Sequence, residues 1–141
     1  MNNKSEYWGP HYWFFLQTVA ETYPKYPNDV TKKKFYELII NMPLFIPEEK
    51  IGNEFAKILD KYPVTPYLDN RDSFKKWIHF IHNKINQKLG KKPISYAYSR
   101  KKYMDNFKPK VVYLHEKLKV NKNYLYSSFI IFGILILLFN Q

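Results

Sequence analysis

Four stretches of the chain place apolar residues three and four positions apart, the spacing that gives an α-helix one apolar face. Prolines lie between these stretches, so the pattern predicts separate helices rather than one long helix. No stretch alternates as a strand does, and no internal repeat is present. The apolar faces consist of Trp13, Leu16, Ala20 and Tyr23; Phe35, Leu38, Ile39 and Met42; Ile51, Phe55, Ile58 and Leu59; and Phe74, Trp77, Ile78, Ile81, Ile85 and Leu89.

Start and stop residues refine these helices. Proline suits a first helical turn, asparagine caps an N-terminus, and glycine often follows a C-terminus. The sequence therefore predicts an all-α protein, a small four-helix bundle with a short fifth helix. The boundary signals are Gly9-Pro10, Pro24, Asn28, Pro43, Pro47-Glu48-Glu49, Tyr62-Pro63, Asp69 or Asn70, and Gly90, with the fifth helix over residues 95–107.

The composition removes whole classes of chemistry. The chain has 141 residues, a formal net charge of +11 and no cysteine. Without cysteine it can form no disulfide, thiolate metal site, iron–sulfur cluster or cysteine nucleophile. The positive charge predicts a general attraction to anionic surfaces and no particular activity.

Residues 124–139 form a run of sixteen residues without a charge. As a helix it would be about 24 Å long, and Lys122, Tyr124 and Tyr126 would help it to reach across the roughly 30 Å apolar layer of a membrane. We interpret it as a single C-terminal transmembrane anchor, with a buried C-terminal helix as the alternative. The lysines that precede it favour a cytoplasmic main domain on a host or virion membrane. This interpretation divides the chain into a helical domain (1–107), a basic linker (108–123) and an anchor (124–139).

Residues 100–122 contain eight basic and two acidic residues. One interpretation of this segment is a solvated linker that sets the orientation of the anchor. The alternative, which is more specific, is attraction to anionic lipid headgroups. A role in binding nucleic acid is not predicted, because the run lacks the aromatic platform on which single strands stack.

His79, His82, Asn83 and Asn86 follow one another at helical spacing on one face of the fourth helix. Three interpretations fit this polar row. It can be a solvated face, or a site for a planar polar ligand, since imidazole stacks and carboxamides both donate and accept hydrogen bonds. A metal site is the third, but no acidic residue on this face completes a ligand set, so no metal is predicted.

Two long motifs carry a resemblance to a known family. Residues 77–91 read Trp77-Ile-His-Phe-Ile-His82-Asn83-Lys-Ile85-Asn86-Gln-Lys-Leu89-Gly90-Lys91, and residues 8–24 read Trp8-Gly9-Pro-His-Tyr-Trp13-Phe-Phe-Leu16-Gln17-Thr18-Val-Ala20-Glu-Thr-Tyr23-Pro24. Both resemble motifs of the Erv/ALR family of FAD-linked sulfhydryl oxidases, in the same order. Phe45-Ile-Pro47, the spacing of Asn70, Arg71, Phe74 and Trp77, and Lys92-Pro93-Ile94-Ser95-Tyr96 also resemble the family, the last segment particularly its viral members.

The resemblance implies a four-helix bundle with a short fifth helix that binds FAD without a covalent bond and is usually dimeric. It also implies oxidation of thiols, in which a Cys-x-x-Cys pair passes electrons to FAD and FAD passes them to oxygen. The cofactor-binding positions that it implies are Trp13, Gln17, His82, Asn83, Asn86, Lys91 and, more weakly, Tyr96.

The chain departs from the family at the redox pair. Alignment on Phe45-Ile-Pro47 puts Glu48 and Ile51 at the two cysteine positions, so no catalytic residue is intact. Gln17 stands where the family has histidine, and His79 stands where some members have a structural cysteine.

Three hypotheses follow. The chain is an FAD-linked thiol oxidase whose thiols come from a partner or a small dithiol. Alternatively, it is an inactive, membrane-anchored dimerisation or docking module that forms a homodimer or pairs with an active paralogue. A third possibility is a membrane-surface interaction protein that no longer binds FAD.

Overall fold

The computed structural model describes residues 4–108 and 114–139, and every regular element in these ranges is a helix. The chain divides into two units, residues 1–107 and residues 108–141. The first unit contains α1 (Ser5–Thr22), α2 (Asp29–Asn41), α3 (Glu49–Lys61), α4 (Arg71–Lys88) and α5 (Tyr96–Asp105). Two short 3₁₀ turns, Met42–Phe45 and Thr65–Tyr67, lie in the connections. The all-α prediction is therefore confirmed.

Side-chain caps set the starts of three helices. The carboxamide of Asn28 accepts a hydrogen bond from the backbone N–H of Thr31 at 2.8 Å, and that of Asn70 accepts one from Ser73 at 2.9 Å. Ser95 caps α5 in the same way. Gly90 follows α4 with a φ of +69°, a left-handed conformation that glycine adopts without strain. Asn70, rather than Asp69, is the cap of α4.

The start of α1 differs from the prediction. The helix begins at Ser5, so Pro10 lies inside it rather than in its first turn. A proline inside a helix removes one backbone hydrogen bond. On the opposite side of the helix from the proline, the rings of Trp8 and Tyr12 meet edge to face one turn apart, with their centroids 5.2 Å apart.

The core of the first unit lies between the apolar faces that the spacing predicts. Tyr23 is fully buried, its ring packs between Phe35 and Phe74, and its hydroxyl donates a 2.7 Å hydrogen bond to the carbonyl of Leu68. Leu89 is the exception: it lies past the end of α4 and remains 37% exposed. The buried core comprises Leu16, Ala20, Tyr23, Ile39, Met42, Phe55, Ile58, Leu59, Val64, Leu68, Phe74, Trp77, Ile78, Ile81 and Ile85.

The second unit contains the single helix α6, Leu114–Phe139, which continues across the predicted boundary between linker and anchor. The predicted transmembrane anchor at 124–139 is not supported. Among residues 4–108 and 114–139, no helix is both long and apolar enough to cross a membrane. The uncharged run is shorter than the apolar layer of a bilayer, and its helix begins in a charged segment. The three-part division and the cytoplasmic location stay predictions.

Gly52 allows α3 to approach the 3₁₀ turn closely. A Cβ atom there would lie 2.7 Å from the carbonyl oxygen of Pro43, whereas a Cβ atom at Gly9 would meet no atom within 4 Å. We expect Gly52→Ala to lower the free energy of unfolding by about 1–3 kcal/mol, because the backbone of the turn must shift. Gly9→Ala is the matched control and should leave it unchanged or raise it by up to about 1 kcal/mol. Urea denaturation of the three proteins checks this, and equal effects of the two substitutions would contradict it.

Candidate functional site

A cavity of about 660 Å³ opens in the first unit. Its walls come from α1, the start of α3, the second half of α4, the segment 91–94 and α5. Of the sequence-predicted cofactor residues, the cavity is lined by Trp13, Gln17, His82, Asn86 and Lys91. Its volume falls within the range of small-molecule and cofactor sites, about 300–1,000 Å³.

Two rings form an aromatic wall of the cavity. The indole of Trp13 and the imidazole of His82 stack with their centroids 4.1 Å apart and their planes 14° from parallel. Phe55, which is almost fully buried, also packs against Trp13, with 6.3 Å between the ring centroids and the planes tilted by 58°. The pair therefore joins α1 to α4 and presents flat surfaces on which a planar ring can stack.

His82 is held neutral. Burial, together with the nearby His79, Lys102 and Lys91, lowers the pKa of its imidazole to about 4, and burial is the largest cause. Its Nδ1 atom is buried and has no hydrogen-bond partner among the described residues. A buried polar atom without a partner costs about 1–3 kcal/mol, so this atom marks a position where a ligand would be favourable.

Three lysines line the cavity near His82: Lys91, Lys92 and Lys102. None of them forms an ion pair with any residue in the described part of the chain. The backbone N–H of Lys91 donates a 2.8 Å hydrogen bond to the carbonyl of Asn86, which holds the loop against the end of α4. The lysines of the lining therefore suit the cavity to an anionic group.

Gln17 and Asn86 complete the polar lining. The Nε2 atom of Gln17 donates a 2.9 Å hydrogen bond to the hydroxyl of Ser99 in α5. Asn86 is 9% exposed, and its backbone carbonyl accepts the N–H of Lys91. The sequence patterns missed Lys92, Lys102 and Ser99 because they lie in other elements, and no spacing along one helix connects them to the polar row of α4.

Asn83 and Tyr96 lie outside the cavity lining. The carboxamide of Asn83 instead bonds to the backbone of Ile94, accepting from its N–H at 3.0 Å and donating to its carbonyl at 2.9 Å. Tyr96 packs edge to face on His79, at 5.3 Å between centroids. Both residues therefore contact groups next to the cavity lining and do not line the cavity themselves.

The two positions assigned to the redox pair have different surroundings. Ile51 lines the cavity and is 7% exposed, whereas Glu48 lies outside the lining and precedes the first residue of α3. The carbonyl of Glu48 accepts the backbone N–H of Gly52 at 3.0 Å. An aliphatic side chain at position 51 therefore faces the cavity where the resemblance implies a thiol.

For the metal interpretation of the polar row, the described residues contain no group of three or more histidine, aspartate or glutamate side chains that could hold an ion. The solvated-face interpretation fails for this row because Asn86 is buried and the Nδ1 atoms of both His79 and His82 are buried. The interpretation as a face for a planar polar ligand fits the stacked rings best.

Comparison with known proteins gives a consistent result. Residues 10–108 match the sequence model of the Erv1/Alr family. A probable FAD-linked sulfhydryl oxidase of Acanthamoeba polyphaga mimivirus is 35% identical over 92 residues, which are 64% of this chain and 64% of the relative. The FAD-linked sulfhydryl oxidase of African swine fever virus (Kenya isolate) is 31% identical over 64% of this chain and 75% of the relative. The match thus spans less than two thirds of the mimivirus protein.

Solved structures agree with this result. The crystal structure of the yeast Erv1 core superposes with a TM-score of 0.65 at 25% identity, over 72% of this chain and 85% of that chain. The FAD-binding domain of Erv1 from Saccharomyces cerevisiae gives a TM-score of 0.61 at 26% identity, over 69% of this chain and 90% of that chain. The viral proteins among the relatives agree with the viral-type resemblance of residues 92–96.

The neutral His82 makes stability depend on pH. An unfolded histidine binds a proton near pH 6.5, but folded His82 does so only near pH 4. Between these values the unfolded chain binds more protons, so the free energy of unfolding should fall by up to about 3 kcal/mol as the pH drops. His82→Gln should show a smaller fall than the wild type in urea denaturation at pH 7 and pH 4.5. The exposed His11 provides the control His11→Gln, which should keep the wild-type fall. An equal fall for His82→Gln and the wild type would contradict the assignment.

Proposed function

Since the chain belongs to the Erv1/Alr family, we propose that it binds FAD in this cavity and oxidises thiols that another molecule supplies. The observation that carries the proposal is the meeting of Trp13, Gln17, His82, Asn86 and Lys91, from three separate segments, in one cavity of cofactor size. The names of the relatives support FAD as the cofactor.

The residues present fit this cofactor. The stacked Trp13 and His82 offer aromatic faces to its planar rings, and the buried Nδ1 of His82 offers an unused hydrogen-bonding atom. Lys91, Lys92 and Lys102 supply positive charge for the pyrophosphate. Because the lining is otherwise largely apolar, it would keep water away from the redox-active ring.

Bound FAD would accept two electrons from a dithiol, which is released as a disulfide, and would pass these electrons to oxygen. This chain contributes binding and orientation, but no thiol of its own, since it contains no cysteine. Ile51 in the cavity lining would exclude water, but its aliphatic side chain has no redox chemistry. The reducing thiols must therefore come from a small dithiol or from a partner that reaches the cavity beside α3.

A second candidate function has its own support. With Glu48 and Ile51 at the redox positions and no cysteine in 141 residues, the chain would be an inactive member of the family. It would then act as a dimerisation or docking module, as a homodimer or with an active paralogue. The two candidates share the fold and differ in whether thiols reach bound FAD.

Binding of FAD to the full chain tests the shared premise. We expect the purified protein to show flavin absorption after incubation with FAD and removal of the excess. Trp13→Ala should weaken binding by about tenfold or more, because stacking on an aromatic side chain contributes about 1–3 kcal/mol. Tyr26→Ala is the matched control, since Tyr26 is 82% exposed and outside the cavity. Absence of bound flavin in the wild type, with an intact circular dichroism spectrum, would refute the proposal.

The loaded protein then separates the two candidates. Addition of a small dithiol without oxygen should bleach the flavin absorption if external thiols reach the cofactor. Absence of bleaching over hours would favour the docking module.

Restoring the thiols tests the positions of the redox pair. We expect the double variant Glu48→Cys and Ile51→Cys, loaded with FAD, to oxidise thiols in air at least about tenfold faster than the wild type, since the attacking groups are then held beside the cavity. Lys50→Cys with Asn53→Cys is the matched control, because both positions are exposed on α3 at the same spacing. Oxygen consumption measures the rates. Equal rates for the two double variants would contradict the assignment of positions 48 and 51.

A further inference from the structure

The carboxamide of Asn83 joins α4 to the segment that forms one wall of the cavity. Its oxygen accepts the N–H of Ile94 at 3.0 Å, and its nitrogen donates to the carbonyl of Ile94 at 2.9 Å. This pair of bonds fixes which way the carboxamide faces, because a turned carboxamide would oppose donor to donor and acceptor to acceptor. The second N–H of the carboxamide is therefore directed away from Ile94.

That second N–H meets His79 one turn earlier in α4. The distance from Asn83 Nδ2 to His79 Nε2 is 3.2 Å. Since the carboxamide nitrogen is a donor, Nε2 must be the acceptor, and the neutral ring carries its proton on Nδ1. The Nδ1 atom is buried and has no partner within the described ranges. The hydrogen bond from Asn83 to His79 therefore requires the neutral ring of His79 with its proton on Nδ1.

The tethered segment matters because it lines the cavity. Lys91, Lys92 and Ile94 all contribute to the lining, and the segment is held at two points: Lys91 by the carbonyl of Asn86 at 2.8 Å, and Ile94 by Asn83. Loss of the second point would leave the positions of both lysines less well defined.

We propose that His79 is a proton-sensitive positioning residue: gain of a proton on its ring breaks the hydrogen bond from Asn83, loosens the segment 91–94 and weakens FAD binding. The protonated ring presents an N–H at Nε2 to the N–H of Asn83, so two donors oppose each other. Asn83 cannot turn to relieve this opposition without losing both bonds to Ile94. The effect on FAD rests on the function proposed above.

The charges around His79 do not stabilise an added proton. A second, smaller cavity lies beside His79, and Glu21 of α1 is the acidic residue in its lining. The two carboxylate oxygens of Glu21 are paired with Lys75 of α4, at 2.8 Å, and with Arg100 of α5. Tyr96 of α5 contributes a ring edge and Tyr103 also lines the small cavity. His82 lies on the same face of α4 and is itself neutral at physiological pH. Burial lowers the pKa of His79, so the change belongs to mildly acidic pH.

The dissociation constant of FAD at pH 7 and pH 5 tests this inference in the full chain. For the wild type we expect the dissociation constant to be at least about threefold larger at pH 5 than at pH 7, because each pH unit below the pKa of His79 can lower the affinity by up to about tenfold. His79→Gln keeps an acceptor for Asn83 but does not titrate, so its dissociation constant should change less than about twofold. Tyr26→Ala, at an exposed residue outside the cavity lining and outside the contact with Asn83, should keep the wild-type change. Equal changes in the wild type and His79→Gln would overturn the inference.

A measurement without cofactor separates this inference from the proposed function. In the protein without FAD, NMR should show faster hydrogen exchange of the Ile94 amide, relative to the Leu89 amide in the same sample, as the pH falls through the titration of His79. His79→Gln should not show the change. If FAD fails to bind at every pH but the Ile94 response is present only in the wild type, the proposed cofactor is wrong and the contact is proton-sensitive. An Ile94 response that is identical in both proteins refutes the role of His79.

Discussion

The packing of α1 against α4 is the constraint on which the rest of the structure depends. One part of it is apolar: Leu16 and Ala20 of α1 and Trp77 and Ile81 of α4 belong to the same core cluster, and all are at most 2% exposed. Farther along α4, this apolar contact gives way to the stacked Trp13 and His82, and the helices border a cavity instead of closing on each other. The same helix pair thus supplies the stability and the aromatic wall.

This arrangement has an energetic cost at the site. His82 is buried near basic residues, and its Nδ1 atom has no hydrogen-bond partner among the described residues. A buried polar atom without a partner is unfavourable, whereas the exposed Lys91, Lys92 and Lys102 in the lining are solvated, so the cost lies at His82 and a ligand that bonds to its Nδ1 would offset it. Ile51 lines the same cavity at the position where the resemblance implies a thiol, so under the proposed function FAD would bind here without a thiol of this chain beside it.

Much of the fold could be predicted because its signals are local. The caps at Asn28, Asn70 and Ser95 and the left-handed Gly90 depend on residues within a few positions of each other. The predictions failed at two helix boundaries. Pro10 lies inside α1 rather than in its first turn, and the uncharged run at 124–139 belongs to a longer helix with a charged start. The resemblance implied seven cofactor-binding residues. Five of them line the cavity: Trp13, Gln17, His82, Asn86 and Lys91. The other two, Asn83 and Tyr96, do not.

By itself the sequence determined the helical fold, the absence of any thiol and the family to which residues 10–108 belong, because periodicity, composition and motif order are properties of the chain. Only the tertiary structure decided which polar groups meet. His79, His82, Asn83 and Asn86 form one row along the sequence, yet His82 and Asn86 line the cavity while Asn83 turns to Ile94 and His79 to Asn83. The reason is that neighbouring positions on a helix differ in direction by about 100°, so the packing of α1, α5 and the segment 91–94 determines what each one meets.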